Sequence, residues 1–263
     1  IMEGCWTLDV SAVKKAVTEK TRAVIALHTY GYPCDMHALR QALPSHVMLI
    51  EDACEIMFHQ PPTWPLTFRT LSFYLSHHLT TIEGGAVMAS EAYLPTLQSL
   101  RAHGWMREWT EAMQETKRIP GVSPHFTFVS DGYNLRPTEM HAAIGRVQWS
   151  KRKQIYQKRM ELAGIVWKHL NHFSTAPWCL FGLIFTHPQR DQVCDTLNQQ
   201  GIETRPILAD MSIQPGLHGF PYRTHPHPVT ERLMREGFAV GCHPGMTTND
   251  AQFLAETLKE VLV

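Results

Sequence analysis

The sequence lacks the features that mark several large classes of protein. Its 263 residues contain six cysteines, but no two of them are spaced as C-x-x-C or as a close pair. In a chain of this length, that distribution excludes a disulfide framework and predicts reduced thiols in a cytoplasmic protein. Lysine plus arginine and aspartate plus glutamate are equal at 24 each, and no long basic run occurs. This balance argues against nucleic acid or an anionic membrane as a partner.

Long apolar runs are also missing. No stretch reaches the roughly 20 residues that a membrane span needs, and the first ten residues have neither the basic nor the apolar segment of a signal peptide. Hydrophobic residues nevertheless make up 44% of the chain and charged residues 18%, so a sizeable core can form. The length suits one large domain, or one large domain plus a small one.

Strand and helix patterns alternate through the first hundred residues. Asp9 and Asp35 are placed as N-caps of two helices, and the apolar run VMLIED ends in two carboxylates at residues 51–52. Apolar strands separated by helices predict an α/β fold with a mostly parallel sheet and helices on both faces. Residues 103–131 are predicted as an irregular, aromatic-bearing loop, which is typical of a functional segment. One long helix is predicted to follow, from about residue 136 to 171.

After Pro177 the pattern changes to short strands and helices in alternation. This change predicts a smaller α+β domain at the C-terminal end of the chain. The sequence is therefore divided into a large domain at residues 1–172 and a small domain at residues 173–263.

The segment SFYLSHHLTTIEGG, residues 72–85, leaves a predicted strand and carries two adjacent histidines. Ligands of an open parallel sheet lie beyond the carboxyl ends of its strands. Asp52 and the turn around His77 are therefore expected at the same edge of the sheet, the rim formed by those strand ends. Asp52 could hold a metal, act as a base, pair with a cationic ring nitrogen, or serve only as a cap or ion-pair partner. A metal site at His77 and His78 is disfavoured, because neighbouring side chains point apart and no third ligand stands at a helical spacing.

Five ordered segments resemble the DegT/DnrJ/EryC1/StrS sugar aminotransferase family of fold-type-I pyridoxal-phosphate enzymes. They are HTYGYPCDM, EDACE, SFYLSHHLTTIEGG, GYNLRPTEMHAAIG and GIETRP, and the resemblance runs over nearly the whole chain. It implies an aspartate-aminotransferase-like fold with a mixed, mostly parallel sheet covered by helices and a smaller C-terminal α+β domain. We also expect the chain to begin inside the family pattern, after the family's phosphate loop and the aromatic residue that stacks on the cofactor.

The resemblance implies roles for several further residues. It places Asp52 at the ring nitrogen of the pyridoxal cofactor and Ser72 at its phosphate. It also implies that Asn134 reaches the cofactor phosphate of the partner subunit, in a homodimer with shared active sites. The cofactor-binding set is Asp52, Glu55, Ser72 and Asn134, and the weaker substrate candidates are Arg205 and His243. For those two, a structural ion pair or a turn is the alternative role.

At the position of the family's Schiff-base lysine, this chain has His77. Imidazole cannot form that covalent bond stably, but its pKa lies in the working range of a general base. The same replacement occurs in a subgroup of the family, the 4-keto-6-deoxysugar 3-dehydratases. These lyases use pyridoxamine phosphate, regenerated from L-glutamate, to remove the C3 hydroxyl of a nucleotide-linked sugar. The resemblance therefore implies a PLP/PMP-dependent dehydratase of deoxysugar biosynthesis, with His77 as the catalytic base.

One branch of that subgroup carries an iron–sulfur cluster, whose cysteine ligands cluster in the loop before the GYN motif. Residues 103–131 contain no cysteine, so no iron–sulfur cluster is expected. Two alternatives stay open. One is a nucleotide-sugar 4-aminotransferase relative that the lysine-to-histidine change has disabled. The other is a non-catalytic remnant or partner of an intact paralogue.

Overall fold

The structure is a computed structural model that describes residues 1, 2, 4, 6–56, 68–170, 182–207, 211–219 and 227–262. Within these residues, the α-helices are α1 (Val10–Ala16), α2 (Met36–Ala42), α3 (Leu94–Arg101), α4 (Glu111–Glu115), α5 (Glu139–His169), α6 (Arg190–Gln199), α7 (Pro228–Glu236) and α8 (Thr248–Leu262). The strands are β1 (Ala23–Leu27), β2 (Met48–Asp52), β3 (Phe68–Ser72), β4 (Gly85–Ala89), β5 (Gly182–Thr186), β6 (Thr204–Pro206) and β7 (Gly237–Gly241). None of the helices described is long and apolar enough to cross a membrane.

Helices α1 and α2 begin at the residues that the sequence predicts. The Asp9 carboxylate accepts hydrogen bonds from the backbone N–H groups of Ser11 at 2.8 Å and Ala12 at 3.3 Å. The Asp35 carboxylate accepts one from the N–H of Ala38 at 2.9 Å. Such bonds satisfy N–H groups that have no partner inside a helix. Both predicted caps are therefore confirmed.

The first sheet has the strand order β1-β2-β3-β4, in which β1, β2 and β3 are parallel and β4 runs antiparallel to β3. Its core side packs Ala26 and Leu49 against Leu39 of α2. Ile25 points to the opposite face and is 62% exposed in the part of the chain described. The mixed, mostly parallel sheet confirms the predicted α/β class.

The second sheet has the order β5-β7-β6 and is antiparallel throughout. Leu183 and Phe238 of this sheet share a core with Leu197 of α6, Leu258 of α8 and Val166 near the end of α5. These elements form the predicted α+β arrangement. The predicted domain boundary at residues 172–173 lies outside the described residues, so the division stays a prediction.

The long helix predicted at residues 136–171 is present as α5. It begins at Glu139, and Thr138 is its N-cap, whose backbone N–H donates to the ring of His141 at 3.2 Å. The predicted loop at residues 103–131 is mostly irregular but contains the short helix α4 and one turn of 3₁₀ helix at Pro124–Phe126.

Candidate active site

The carboxyl ends of β2 and β3 bring two of the expected site residues to one edge of the first sheet. The strands are parallel and Asp52 pairs in register with Thr70, two residues before Ser72. The Asp52 carboxylate accepts hydrogen bonds from the backbone N–H of Cys54 at 3.1 Å and from the hydroxyl of Thr70 at 3.2 Å. These donors hold the carboxylate in one orientation on the rim.

The turn between β3 and β4 is closed by backbone hydrogen bonds. Ser72 pairs with Gly85 at its base, and the backbone N–H of Phe73 donates to the carbonyl of Gly84 at 2.9 Å. A Cβ at Gly85 would lie 2.6 Å from the backbone oxygen of Leu71, so the close strand contact requires glycine there. The Ser72 hydroxyl accepts a hydrogen bond from the N–H of Tyr74 at 3.2 Å. The turn is thus a constrained support for the histidine pair.

The two histidines have different surroundings. His77 is partly buried, and its ring meets Tyr74 edge-on with the ring centroids 5.8 Å apart. Burial lowers the pKa of His77, while a hydrogen bond to the Cys54 carbonyl and the charge of Asp52 act in the opposite direction. His78 is buried, with 5% of its surface exposed. Asp52 and His77 are therefore brought together, as the sequence predicts.

Among the described residues, no three His, Cys, Asp or Glu side chains converge as metal ligands would. The thiol of Cys54 lies beside Asp52 and donates a hydrogen bond to its carboxylate. Burial, that hydrogen bond and the charges of Asp52 and Glu55 raise the pKa of the Cys54 thiol far above its usual range. Cys54 is therefore a neutral thiol at physiological pH and a poor nucleophile.

The charge of Arg205, on the second sheet, acts on Glu55, which follows the first sheet. The Glu55 carboxylate accepts a hydrogen bond from the backbone N–H of Tyr30. Burial raises the pKa of Glu55; the Tyr30 hydrogen bond and the Arg205 charge lower it, whereas the charge of Asp52 raises it further. Arg205 lies on β6, so a predicted substrate residue stands close to a predicted cofactor residue.

Asn134 lies at the end of the loop that precedes α5. It forms an isolated β-bridge with Ala102 and is exposed. The chain passes very close to itself here, because a Cβ at Gly132 would lie 2.0 Å from the backbone nitrogen of Gly104. Two glycines thus allow the close contact that presents Asn134 at the surface.

A cavity of about 500 Å³ lies between the histidine turn, one face of α5 and the segment after β7. It contains His243, the other predicted substrate residue, together with residues that the sequence analysis did not select. The lining residues are Leu75, Ser76, His77, His78, Thr80, Gln148, Lys151, Ile155, Arg159, His243 and Pro244. The sequence did not mark Lys151 and Arg159 of α5 as possible site residues, because lysine and arginine are common on exposed helix faces.

The profile of the DegT/DnrJ/EryC1/StrS aminotransferase family matches residues 1–259. The chain belongs to this family. A GDP-4-keto-6-deoxy-D-mannose 3-dehydratase from Yersinia pseudotuberculosis is 35% identical over 225 residues, which are 76% of this chain and 56% of that enzyme. The family member described here therefore spans little more than half the length of that relative.

Two solved structures of a GDP-4-keto-6-deoxymannose 3-dehydratase show the same fold as this family member. The Escherichia coli enzyme with bound hydrated PLP has a TM-score of 0.82 and 27% identity, and the match covers 98% of this chain and 72% of that chain. A structure with a trapped PLP-glutamate geminal diamine has a TM-score of 0.83 and 26% identity, covering 98% and 73%. The aspartate-aminotransferase-like fold class is thereby confirmed.

Proposed function

We propose that this protein is a PLP/PMP-dependent dehydratase that removes the C3 hydroxyl of a nucleotide-linked 4-keto-6-deoxyhexose in deoxysugar biosynthesis. The observation that carries the proposal is the position of His77. A partly buried imidazole, rather than an amine, stands on the rim beside Asp52 and bonds to the Cys54 carbonyl. Family membership and the likeness to 3-dehydratases support the same chemistry.

The residues of the rim fit a pyridoxal-type cofactor. Asp52 is a fixed carboxylate that would pair with the ring nitrogen, and the Ser72 hydroxyl at the end of β3 would bind the phosphate. Glu55 would bind a further polar atom of the cofactor, and Asn134 of the second subunit would bind the phosphate from the other side. When bound, the cofactor supplies an amino group and an electron-withdrawing ring.

His77 would act as the base of the reaction. Because burial lowers its pKa, the imidazole is neutral near pH 7 and can accept a proton on a ring nitrogen. The Asp52 charge and the Cys54 carbonyl stabilise the ring once it is protonated. Protonated His77 can then donate to the departing C3 hydroxyl oxygen, so that the hydroxyl leaves as water.

The proposal includes L-glutamate as amino donor, a homodimer with shared active sites and a cytoplasmic location. Support for the dimer comes from large apolar side chains in the loop that carries Asn134 and at the start of α5. Phe126, Phe128, Leu135 and Met140 are all more than half exposed there, and several large exposed apolar side chains close together in sequence support an interface with another protein chain. The reduced cysteines described suit the cytoplasm.

The deciding experiment is an assay of the full-length protein with pyridoxal phosphate, L-glutamate and a panel of GDP-, CDP- and dTDP-linked 4-keto-6-deoxysugars. We expect ammonia and a 3,6-dideoxy-4-keto product with at least one nucleotide. The His77→Lys variant tests the aminotransferase alternative, which the family name favours. Amino transfer restored by lysine, with no ammonia from the unmodified protein, would overturn the dehydratase proposal. Failure of glutamate to change the cofactor absorbance would instead favour the non-catalytic alternative.

A further inference from the structure

The turn after β1 contains a buried tyrosine in a strained backbone conformation. Tyr30 has a φ of 52° and a ψ of 27°, in the left-handed region where a Cβ clashes with the backbone. It exposes only 4% of its surface. Such a conformation persists only where surrounding contacts hold it, and strained residues of this kind cluster at functional sites. The contacts of Tyr30 therefore indicate what the turn does.

This turn lies on the rim that carries the proposed cofactor site. The backbone N–H of His28 donates to the carbonyl of Asp52 at 3.1 Å, which extends the pairing of β1 with β2. Two further backbone bonds of 3.0 Å close the turn, from Gly31 to His28 and from Tyr32 to Thr29. The left-handed residue thus stands at the centre of a closed turn, at the carboxyl end of the first sheet.

Tyr30 makes contacts with two different parts of the protein. Its backbone N–H donates a hydrogen bond to Oε2 of Glu55, which follows β2. Its side chain belongs to a buried apolar core with Ile207, Leu233 and Ala239. These three residues follow β6, lie on α7 and lie on β7, respectively. Tyr30 therefore joins the rim of the first sheet to the core around the second sheet.

The carboxylate of Glu55 depends on this N–H. Among the residues that the structure describes, Tyr30 supplies the one hydrogen bond that the Glu55 carboxylate accepts. Burial raises the pKa of Glu55, and the Tyr30 bond lowers it. The charge of Asp52 raises the same pKa, and that of Arg205 lowers it. The Tyr30 bond thus fixes one carboxylate oxygen and favours the charged form.

We propose that Tyr30 is a positioning residue for Glu55, because its strained backbone directs the N–H to the carboxylate and its buried ring keeps that conformation in place. Through Tyr30, the core around the second sheet helps to set the orientation of a carboxylate on the rim. The inference rests on the proposed function in one respect, namely that Glu55 binds the cofactor. Tyr30 then affects the affinity for pyridoxal phosphate through Glu55.

The test compares Tyr30→Ala with Tyr30→Gly in the full-length protein. Both variants remove the whole ring with every contact it makes, but only glycine adopts a positive φ without a clash. We expect the N–H to stay on Glu55 in Tyr30→Gly and to leave it in Tyr30→Ala, so the Glu55 pKa should be higher in the alanine variant. Carbon NMR of carboxyl-labelled glutamate measures this pKa, and Glu55→Gln identifies the signal. Affinity for pyridoxal phosphate should be about tenfold weaker in Tyr30→Ala than in Tyr30→Gly.

Tyr32 provides the matched control. It belongs to the same turn and packs against the same core, but its φ is −75°. Tyr32→Gly should therefore melt at a lower temperature than Tyr32→Ala, because glycine only adds chain entropy there. The order should be reversed at Tyr30, where glycine also relieves the strain. Equal Glu55 pKa values in Tyr30→Ala and Tyr30→Gly would overturn the positioning role.

A second measurement follows the same contact without altering Tyr30. Glu55→Ala removes the acceptor, so the Tyr30 amide should exchange its hydrogen about tenfold faster relative to the amide of Tyr32. Unchanged exchange would overturn the proposal even where a Tyr30 variant fails to fold. Neither the Glu55 pKa nor the exchange rate requires a cofactor or a substrate. If both behave as expected while pyridoxal phosphate does not bind, the proposed function fails and the positioning role stands.

Discussion

The carboxylate of Asp52 lies close enough to the ring of His77 for its charge to raise the pKa of the imidazole, against the burial that lowers it. Asp52 ends β2 and His77 lies in the turn after β3, so the base and the carboxylate are positioned by the same edge of the sheet. Both supporting strands are fixed by parallel pairing, which limits how far the two groups can move apart. A site built on strand ends in this way is rigid enough for proton transfer.

The first prediction concerns the base itself. His77→Asn keeps a side-chain N–H for the Cys54 carbonyl but removes the proton acceptor. We expect dehydratase activity to fall by about 10²–10⁴-fold, with the melting temperature and the affinity for pyridoxal phosphate close to those of the unmodified protein. His46→Asn, at an exposed position, is the control. Full activity in His77→Asn would show that another group takes the proton.

The second prediction concerns the pKa of His77. Burial lowers it below the usual 6.5, so the acid limb of the kcat/KM profile should also lie below that pH. Asp52→Asn removes a charge that stabilises the imidazolium, and we expect the His77 pKa, followed by NMR titration, to fall further. Asp195→Asn on the exposed side of α6 should not change it. A rise in Asp52→Asn would contradict the electrostatic link between the two residues.

Much of this rim could be predicted from sequence, for a physical reason. Parallel strands end at the same edge, so the carboxylate after VMLIED and the turn after the next strand had to meet there. The resemblance then assigned a chemical role to His77. The caps at Asp9 and Asp35 were equally predictable, because a capping interaction spans only a few residues.

The cavity and the effect of the Arg205 charge on Glu55 were not predictable in this way. Lys151 and His243 are separated by about ninety residues, and only the packing of α5 beside the second sheet brings them to one space. Helical periodicity shows which residues share a face, but it does not show what that face contacts. For the same reason, the sequence did not reveal that the charge of Arg205 on β6 acts on Glu55.

The third prediction concerns a buried network below the rim. His28 bonds to Glu51 with 2.7 Å between Nε2 and Oε1, and its Nδ1 accepts the N–H of Cys34 at 2.9 Å. The proton therefore lies on Nε2, and His28 is a neutral donor to the carboxylate. Arg69 lies 3.6 Å from the other oxygen of Glu51. Because all three ionisable side chains are buried, Glu51→Ala should cost about 3–5 kcal/mol of unfolding free energy.

Urea denaturation of the purified protein measures this cost. The control is Glu115→Ala, which removes an exposed carboxylate paired with Arg118 at 2.9 Å. We expect less than about 1 kcal/mol for that variant. Similar values for the two variants would mean that the buried network contributes no more than a surface ion pair.

The fourth prediction concerns strain in the histidine turn. Ile82 has a φ of 76°, a left-handed conformation that β-branched residues rarely adopt. Its side chain is half exposed, so little burial is lost on truncation. Ile82→Gly should therefore stabilise the protein by about 1 kcal/mol, the balance between relieved strain and added chain entropy. Thermal unfolding should show a rise of roughly 2–4 °C. Glu83→Gly, at a position without positive φ, should lower the melting temperature instead.

The last prediction tests whether Asn134 completes the site of a second subunit. Asn134→Ala and His77→Asn homodimers should each be nearly inactive, because every site in them lacks one functional residue. After the two variants are mixed and exchange subunits, half of the dimers are mixed dimers. If Asn134 acts across the interface, each mixed dimer has one complete site, and activity should recover to roughly a quarter of the unmodified protein's.

If Asn134 acts within its own subunit, both sites of a mixed dimer remain defective and no activity returns. The product assay on mixed and separate samples, with subunit exchange verified by mass, therefore decides between the two arrangements.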